Sequence, residues 1–233
     1  DTMLVAPLRF KTVLLDEMDR QIARAKRGER ASMILKNNSL NDPQIIQKLS
    51  EASCAGVRVD MIVRGICCVR AGVPGKTENI HIRSIVGRYL EHSRIYSFGE
   101  GADARIYIAS GDFLTRNTER RVEVGVRVDD PRIARQLRDI LDLQLRDTVN
   151  ARVMLPDGSY AKVKPAEGQP PVDSQMAMYG YFQHAFEQID PPGLDRPQPK
   201  PQPPVVEEPR PALRRDRVRL RGLLESLRGL GDK

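Results

Sequence analysis

Between Glu91 and Val124 the chain reads EHSRIYSFGEGADARIYIASGDFLTRNTERRVEV, a stretch whose residue types suit the handling of an anion. His92 and Arg94 are two apart, so on an extended strand both side chains project to the same face. A second apolar stretch, Arg105 to Ala109, runs into the small polar turn Ser110-Gly111-Asp112. An imidazole can act as a nucleophile or exchange a proton with a phosphoryl oxygen. An arginine can hold such oxygens, and small polar groups can complete a cradle around them. Arg116 and Arg121 can add charge to the same mouth, with Asp112 and Glu123 expected to orient the arginines rather than act as bases. Upstream, Arg64 ends the apolar run VDMIV just before Gly65, the place where α/β sheets present ligand-facing groups. Its guanidinium fork suits bidentate contact with phosphate. His81 and His184 belong to no motif and are expected to be structural. Cys67 and Cys68 follow a strand and are expected to be small packing residues.

These residues need a sheet to hold them, and the pattern supplies one. Phe10, Leu14, Met18 and Ile22 mark a first helix, followed by a short apolar strand at Ser32 to Leu35. Asn41, Asp42 and Pro43 open a helix from Pro43 to Ala55 with Ile45, Leu49 and Ala52 inward, and Gly56 stops it. Strands are predicted at 57–63, 80–85, 93–98 and 105–109, and another from Arg121 to Val128 by strict alternation. Asp130-Pro131 caps a helix running to Leu145, with Ile133, Leu137, Ile140 and Leu141 inward. Interleaved helices and short strands argue for one α/β layered domain, a mixed β-sheet flanked by helices.

Composition sets the outer limits. The 233 residues carry 38 Lys+Arg against 31 Asp+Glu, a formal charge of +7, which favours anionic partners without choosing among them. Aromatics make up 5% and Trp is absent, which argues against base stacking and so against a specific nucleic-acid partner. No apolar run approaches the ~20 residues of a membrane span. Three cysteines, two of them adjacent and none in a metal-spaced pair, argue against a disulfide framework and for a reducing, cytoplasmic setting. Nine of the 17 prolines lie between Pro191 and Pro211, which reads as an extended linker. Beyond it Leu220, Leu223, Leu224 and Leu227 recur at helical spacing among six arginines. That tail reads either as solvated or as a docking helix for an acidic partner or membrane surface.

The strand pair bearing His92, Arg94 and Ser110-Gly111-Asp112 resembles a half-site of the phospholipase D superfamily, with Arg94 in place of its lysine and Asp112 in place of its asparagine. The acidic residue expected after that lysine is absent, since Phe98 and Gly99 fall there. A closer resemblance rests on longer runs. These are Val63-Arg64-Gly65-Ile66-Cys67, Glu78-Asn79-Ile80 through Ser84-Ile85-Val86-Gly87-Arg88-Tyr89-Leu90-Glu91-His92, and Ser110 through Arg116-Asn117 to Arg121-Val122-Glu123-Val124. They are similar to bacterial class 1 polyphosphate kinases, over about residues 3 to 187. The resemblance implies a second phospholipase D-like C-terminal domain at residues 1–187, followed by a linker at 188–212 and a basic tail at 213–233. It implies part of an enzyme that reversibly moves the terminal phosphate of ATP onto inorganic polyphosphate, leaving ADP, through a phosphohistidine in a preceding domain. The rest of the kinase chain and further copies of it would then be partners. Mg2+ would be held mainly by nucleotide and polyphosphate oxygens, with no metal ligand expected here. Arg64 matches the family's ATP-phosphate arginine and His92 its second active-site histidine, an acid–base candidate. Two other readings stay open: a phosphodiesterase of the phospholipase D superfamily, and a non-catalytic anion-binding module.

Overall fold

The computed structural model describes residues 3–189. In chain order the strands are β1 (Met3–Val5), β2 (Ser32–Asn37), β3 (Arg58–Val63), β4 (Ile80–Ile85), β5 (Arg94–Phe98), β6 (Arg105–Ala109), β7 (Val124–Arg127), β8 (Ala151–Met154) and β9 (Tyr160–Lys162). The helices are α1 (Phe10–Lys26), α2 (Pro43–Cys54), α3 (Thr115–Glu119), α4 (Pro131–Leu145) and α5 (Ser174–Ile189). All nine strands form one mixed sheet in the order β1-β7-β6-β5-β2-β3-β4-β8-β9. The central β2, β3 and β4 run parallel, and β5 lies antiparallel against β2. The expected mixed sheet flanked by helices is therefore what the chain forms.

The alternation of side chains across each strand divides the core in two. Met33, Leu35, Val59, Met61, Val63, Ile80, Ile82, Tyr96, Phe98 and Tyr107 face α1 and α2, where Phe10, Leu14, Met18, Ile45, Leu49 and Ala52 meet them. Ile62, Ile85, Ile95 and Ile106 face the other way, towards Ala134 and Leu141 of α4. The starts of α2 and α4 follow the sequence closely: the Asp42 and Asp130 carboxylates each accept from two backbone N–H groups of the first turn, ahead of a proline. Among the described residues no helix is long and apolar enough to cross a membrane.

Three local expectations fail. The strand from Arg121 is confined to β7 (Val124–Arg127): Thr115–Glu119 coil into α3, and the Glu123 side chain turns inward to bond Ser110 and Asn117. Ile133 sits 47% exposed while Ala134 takes the buried place, since α4 is rotated to put Ala134, Leu141 and Gln144 against the sheet. Cys68 is exposed, and only Cys67 packs against the core. The proline-rich linker, the terminal helix and the His184 side chain fall outside the described residues.

Candidate anion-binding site

The C-terminal ends of β2, β3 and β6 and the N-terminal end of β5 lie at one edge of the sheet, since β5 is antiparallel to both its neighbours. The chain leaving β2 is pinned there on both sides. Leu40 forms single β-bridges to Cys67 and to Phe113, and the N–H groups of Asn41 and Asp42 donate to the Phe113 carbonyl. Gly65 allows the end of β3 to close on this segment: its N–H donates to the Asn38 carbonyl at 2.8 Å, and a Cβ at this position would stand 2.8 Å from the same oxygen. Below the turn after β6, Tyr96 stacks on Phe113 with ring centroids 4.5 Å apart and donates its hydroxyl to the Gly111 carbonyl.

A hydrogen-bonded chain of side chains crosses this edge. The Nε of Arg64 donates to Asn38 Oδ1 at 2.6 Å and to the Glu91 carbonyl at 2.8 Å. Asn38 in turn donates its backbone N–H and its Nδ2 to Asp112 Oδ1, at 2.8 and 3.0 Å. Asp112 grips Arg94 as a fork, Nε to Oδ1 at 3.1 Å and Nη2 to Oδ2 at 3.2 Å. The remaining Nη1 of Arg94 lies 2.9 Å from His92 Nδ1 and donates to the His92 carbonyl at 3.0 Å. Arg64, Asp112, Arg94 and His92 are thus one connected unit, and Asp112 orients an arginine as expected. His92 is not on the strand with Arg94: β5 starts at Arg94, and His92 belongs to the exposed segment before it. The two meet because the Arg94 side chain folds back, not because they share a strand face.

The other candidates stand apart from this unit. The Ser110 hydroxyl donates to Glu123 and accepts from the Val124 N–H, tying β6 to β7. Glu123 holds Ser110 and Asn117, so the expectation that it orients an arginine is corrected: its carboxylate is already filled by those two neutral donors. Arg116 and Arg121 are exposed and have no ion pair among the described residues. His81 lies away from this edge, its Nδ1 3.6 Å from Asp60 Oδ1, on the rim of a cleft of about 360 Å³ between β3, β4 and β8.

Beneath the unit lies a second layer that motif spacing does not reveal. Lys36, on β2 and only 1% exposed, pairs with Glu91 Oε2 at 3.0 Å. Burial lowers its pKa, with the Arg64 and Arg94 charges adding to that and Glu91 opposing it. Glu91 also accepts from Gln144 Nε2 of α4 at 2.5 Å and from Gln175 Nε2 of α5 at 2.8 Å. Gln175 further exchanges hydrogen bonds with the backbone of Tyr89, so α5 fixes the segment that carries His92. The one sequence signal for this layer is a lysine inside the otherwise apolar run SMILK.

The arrangement suits an oxyanion. Arg64 is held through Nε alone, which leaves both terminal nitrogens without a partner among the described residues. That is the pair a bidentate clamp uses. It does not suit a metal ion: Asp112 and Glu91 are spent on cations and amides, and the described residues hold no group of three His, Cys, Asp or Glu able to ligate one.

Residues 3–175 match the family model for polyphosphate kinase C-terminal domain 2. The chain is 43% identical over 176 residues to a polyphosphate kinase of Pseudomonas aeruginosa, an alignment covering 76% of this chain and 26% of that protein. It is 44% identical over 167 residues to a polyphosphate kinase of Thermosynechococcus vestitus, covering 72% of this chain and 23% of the relative. The crystal structure of polyphosphate kinase from Porphyromonas gingivalis superposes with a TM-score of 0.77 at 37% identity, over 81% of this chain and 29% of that one. The chain thus spans about a quarter of the length of the curated relatives it matches. The fold, the ordered motifs and these matches together make the chain a member of the polyphosphate kinase family, matching its C-terminal domain 2.

Proposed function

We propose that this chain is the ATP- and polyphosphate-binding part of a phosphotransferase that moves the terminal phosphoryl group of ATP to inorganic polyphosphate. The observation that carries the reading is Arg64, whose Nε is fixed by Asn38 and the Glu91 carbonyl while neither terminal nitrogen has a partner among the described residues, at the edge where His92 stands. Arg64 clamps phosphate oxygens, and Arg94, locked by Asp112, adds a second fixed cation. His92 meets the transferring group. Such preorganised charge stabilises negative charge that builds up in transfer without reorganising at that moment. Arg116 and Arg121 contribute long-range field from α3 and the segment before β7, and Ser110 and Asp112 hold the turn between them.

The phosphohistidine of the reaction lies in a part of the kinase other than this chain. Mg2+ arrives bound to nucleotide oxygens, since the carboxylates here are already engaged. Residues 1–187 act as the phosphate-handling domain, 188–212 as a linker and 213–233 as a basic tail, in a cytoplasmic oligomeric enzyme.

Titration calorimetry with ATP and with inorganic tripolyphosphate tests this on the chain itself. Arg64→Ala removes a charge-assisted contact worth about 1.5–3 kcal/mol, so affinity for both is expected to fall roughly tenfold to a hundredfold. Equal affinity in the two proteins would remove Arg64 from the site, and with it the reading.

A further inference from the structure

We infer that Arg94 fixes the tautomer of His92, so that the ring presents Nε2–H as a hydrogen-bond donor to a phosphate oxygen and is barred from acting as a nucleophile. The donor role rests on the reading of this edge as a phosphate site; the tautomer does not.

An arginine guanidinium has five N–H donors and no acceptor, and it stays charged in proteins. Its contact with His92 Nδ1 at 2.9 Å therefore requires the lone pair to be on Nδ1. A neutral imidazole has one N–H, which then resides on Nε2. Arg94 is not free to swing away from this contact. Its Nε and Nη2 are held by both oxygens of Asp112, and Asp112 is held by two donors of Asn38. The same Nη1 that meets the ring also donates to the His92 carbonyl at 3.0 Å, so a single nitrogen fixes both backbone and side chain.

The other charged groups of the edge leave this arrangement alone. Glu91, adjacent in sequence, turns its carboxylate inward to Lys36, Gln144 and Gln175. Arg64 is tied to Asn38 and the Glu91 carbonyl. Among the described residues no carboxylate bonds to the ring, so nothing draws a proton onto Nδ1. A nucleophilic histidine needs its lone pair at the exposed nitrogen and its hydrogen on the other. Here that would set an Nδ1–H against an Arg94 N–H at 2.9 Å, two donors facing each other. The exposed Nε2–H can instead donate to a non-bridging phosphate oxygen, without any bond to the ring being made or broken.

The tautomer is readable directly in the native chain by 15N NMR of labelled histidines, at a pH where free imidazole is neutral. His92 is assigned by the signals lost in His92→Gln. The expected spectrum has a pyridine-type Nδ1 and a pyrrole-type Nε2, with the Nε2–H resonance shifting as inorganic tripolyphosphate is added. In Arg94→Met, which keeps the bulk and removes the donor, the preference for Nε2–H is expected to weaken. A protonated Nδ1 in the native chain together with a clear tripolyphosphate response would overturn the tautomer lock while leaving the proposed function standing. The expected tautomer with no response would sink the donor role together with that function. Acid-labile phosphate on His92 after exposure to labelled ATP would also overturn the inference, since it shows a lone pair at the ring nitrogen that this geometry denies.

Discussion

Arg64 and His92 share one edge of the sheet but offer a phosphate different things. On the proposed function, Arg64 is a fixed charge that would touch the anion before and during transfer. In a complete kinase containing this domain, Arg64→Ala is expected to raise the KM for ATP and to lower turnover as well. On the same proposal, His92 would offer one directed N–H to the transferring group. His92→Ala should act mainly on turnover, by about a hundredfold or more, a size typical for a lost oxyanion donor or proton-transfer group. Steady-state kinetics separates the two, and a His92 effect confined to KM would make the ring a ground-state contact. Below them, Lys36 and Glu91 form a buried pair, and breaking such a pair from one side leaves the other charge uncompensated. Lys36→Met is expected to cost about 3–5 kcal/mol. Glu91→Gln in the same chain should recover part of that loss, as read by denaturant melts. Arg64, His92, Arg94 and Asp112 were legible in the sequence because they sit in ordered runs at strand ends. Asn38, Gln144 and Gln175 were not: each matters through a hydrogen bond to a residue 26 to 84 positions away, which spacing along the chain does not encode.

At the scale of elements, periodicity and capping residues located α1, α2, α4 and most of the sheet, because an apolar stripe or alternation spans enough residues to register. What escaped was β1, β8, β9, α3 and the 16-residue α5. The five-residue α3 has no apolar stripe and is anchored by Thr118 to Asp42 and by Thr115 N–H to Asn41. The junction of α4, β8 and α5 depends on one carboxylate. Asp147 is fully buried and accepts from the N–H groups of Val149, Asn150, Ala151 and Ser174 and from the Ser174 hydroxyl. Burial alone would raise its pKa, but these donors outweigh that and hold the carboxyl below its usual value. The native state therefore binds this proton less tightly than the unfolded chain, whose carboxyl titrates near ~3.9. The stabilisation is present above that pH and is lost as pH falls through the lower native value. Asp147→Ala strands several buried donors at about 1–3 kcal/mol each, so a loss of at least ~3 kcal/mol is expected. Asp147→Asn should instead flatten the acid limb of the stability–pH curve, measured by urea melts from neutral pH downwards. An unchanged limb would mean that other carboxylates dominate the acid transition.

At the scale of the whole molecule, the question is which part of a +7 chain meets the anion. Residues 190–233 hold ten Lys and Arg against seven Asp and Glu, so they account for less than half of the excess positive charge. The remainder lies with residues 1–189, where the linked Arg64–Asn38–Asp112–Arg94 unit gives some of it a fixed direction. A diffuse basic tail attracts polyanions weakly and loses that attraction as salt screens it over ~8–10 Å. A bidentate clamp loses less, because its contacts are short and partly shielded. Two deletions of function can then be set against each other. Truncation after Asp190 is expected to leave Tm nearly unchanged, since nine prolines in 21 residues separate the terminal leucines from the domain. About 1 kcal/mol corresponds to roughly 2–4 °C at this size, so a larger drop would show that Leu220, Leu223, Leu224 and Leu227 pack on residues 1–189. Tripolyphosphate affinity should fall modestly on truncation at low salt and hardly at all at physiological salt, while Arg64→Ala weakens it at both. If truncation abolishes binding and Arg64→Ala leaves it intact, the tail is the anion-binding element, and the edge formed by Arg64, Arg94 and His92 is structural.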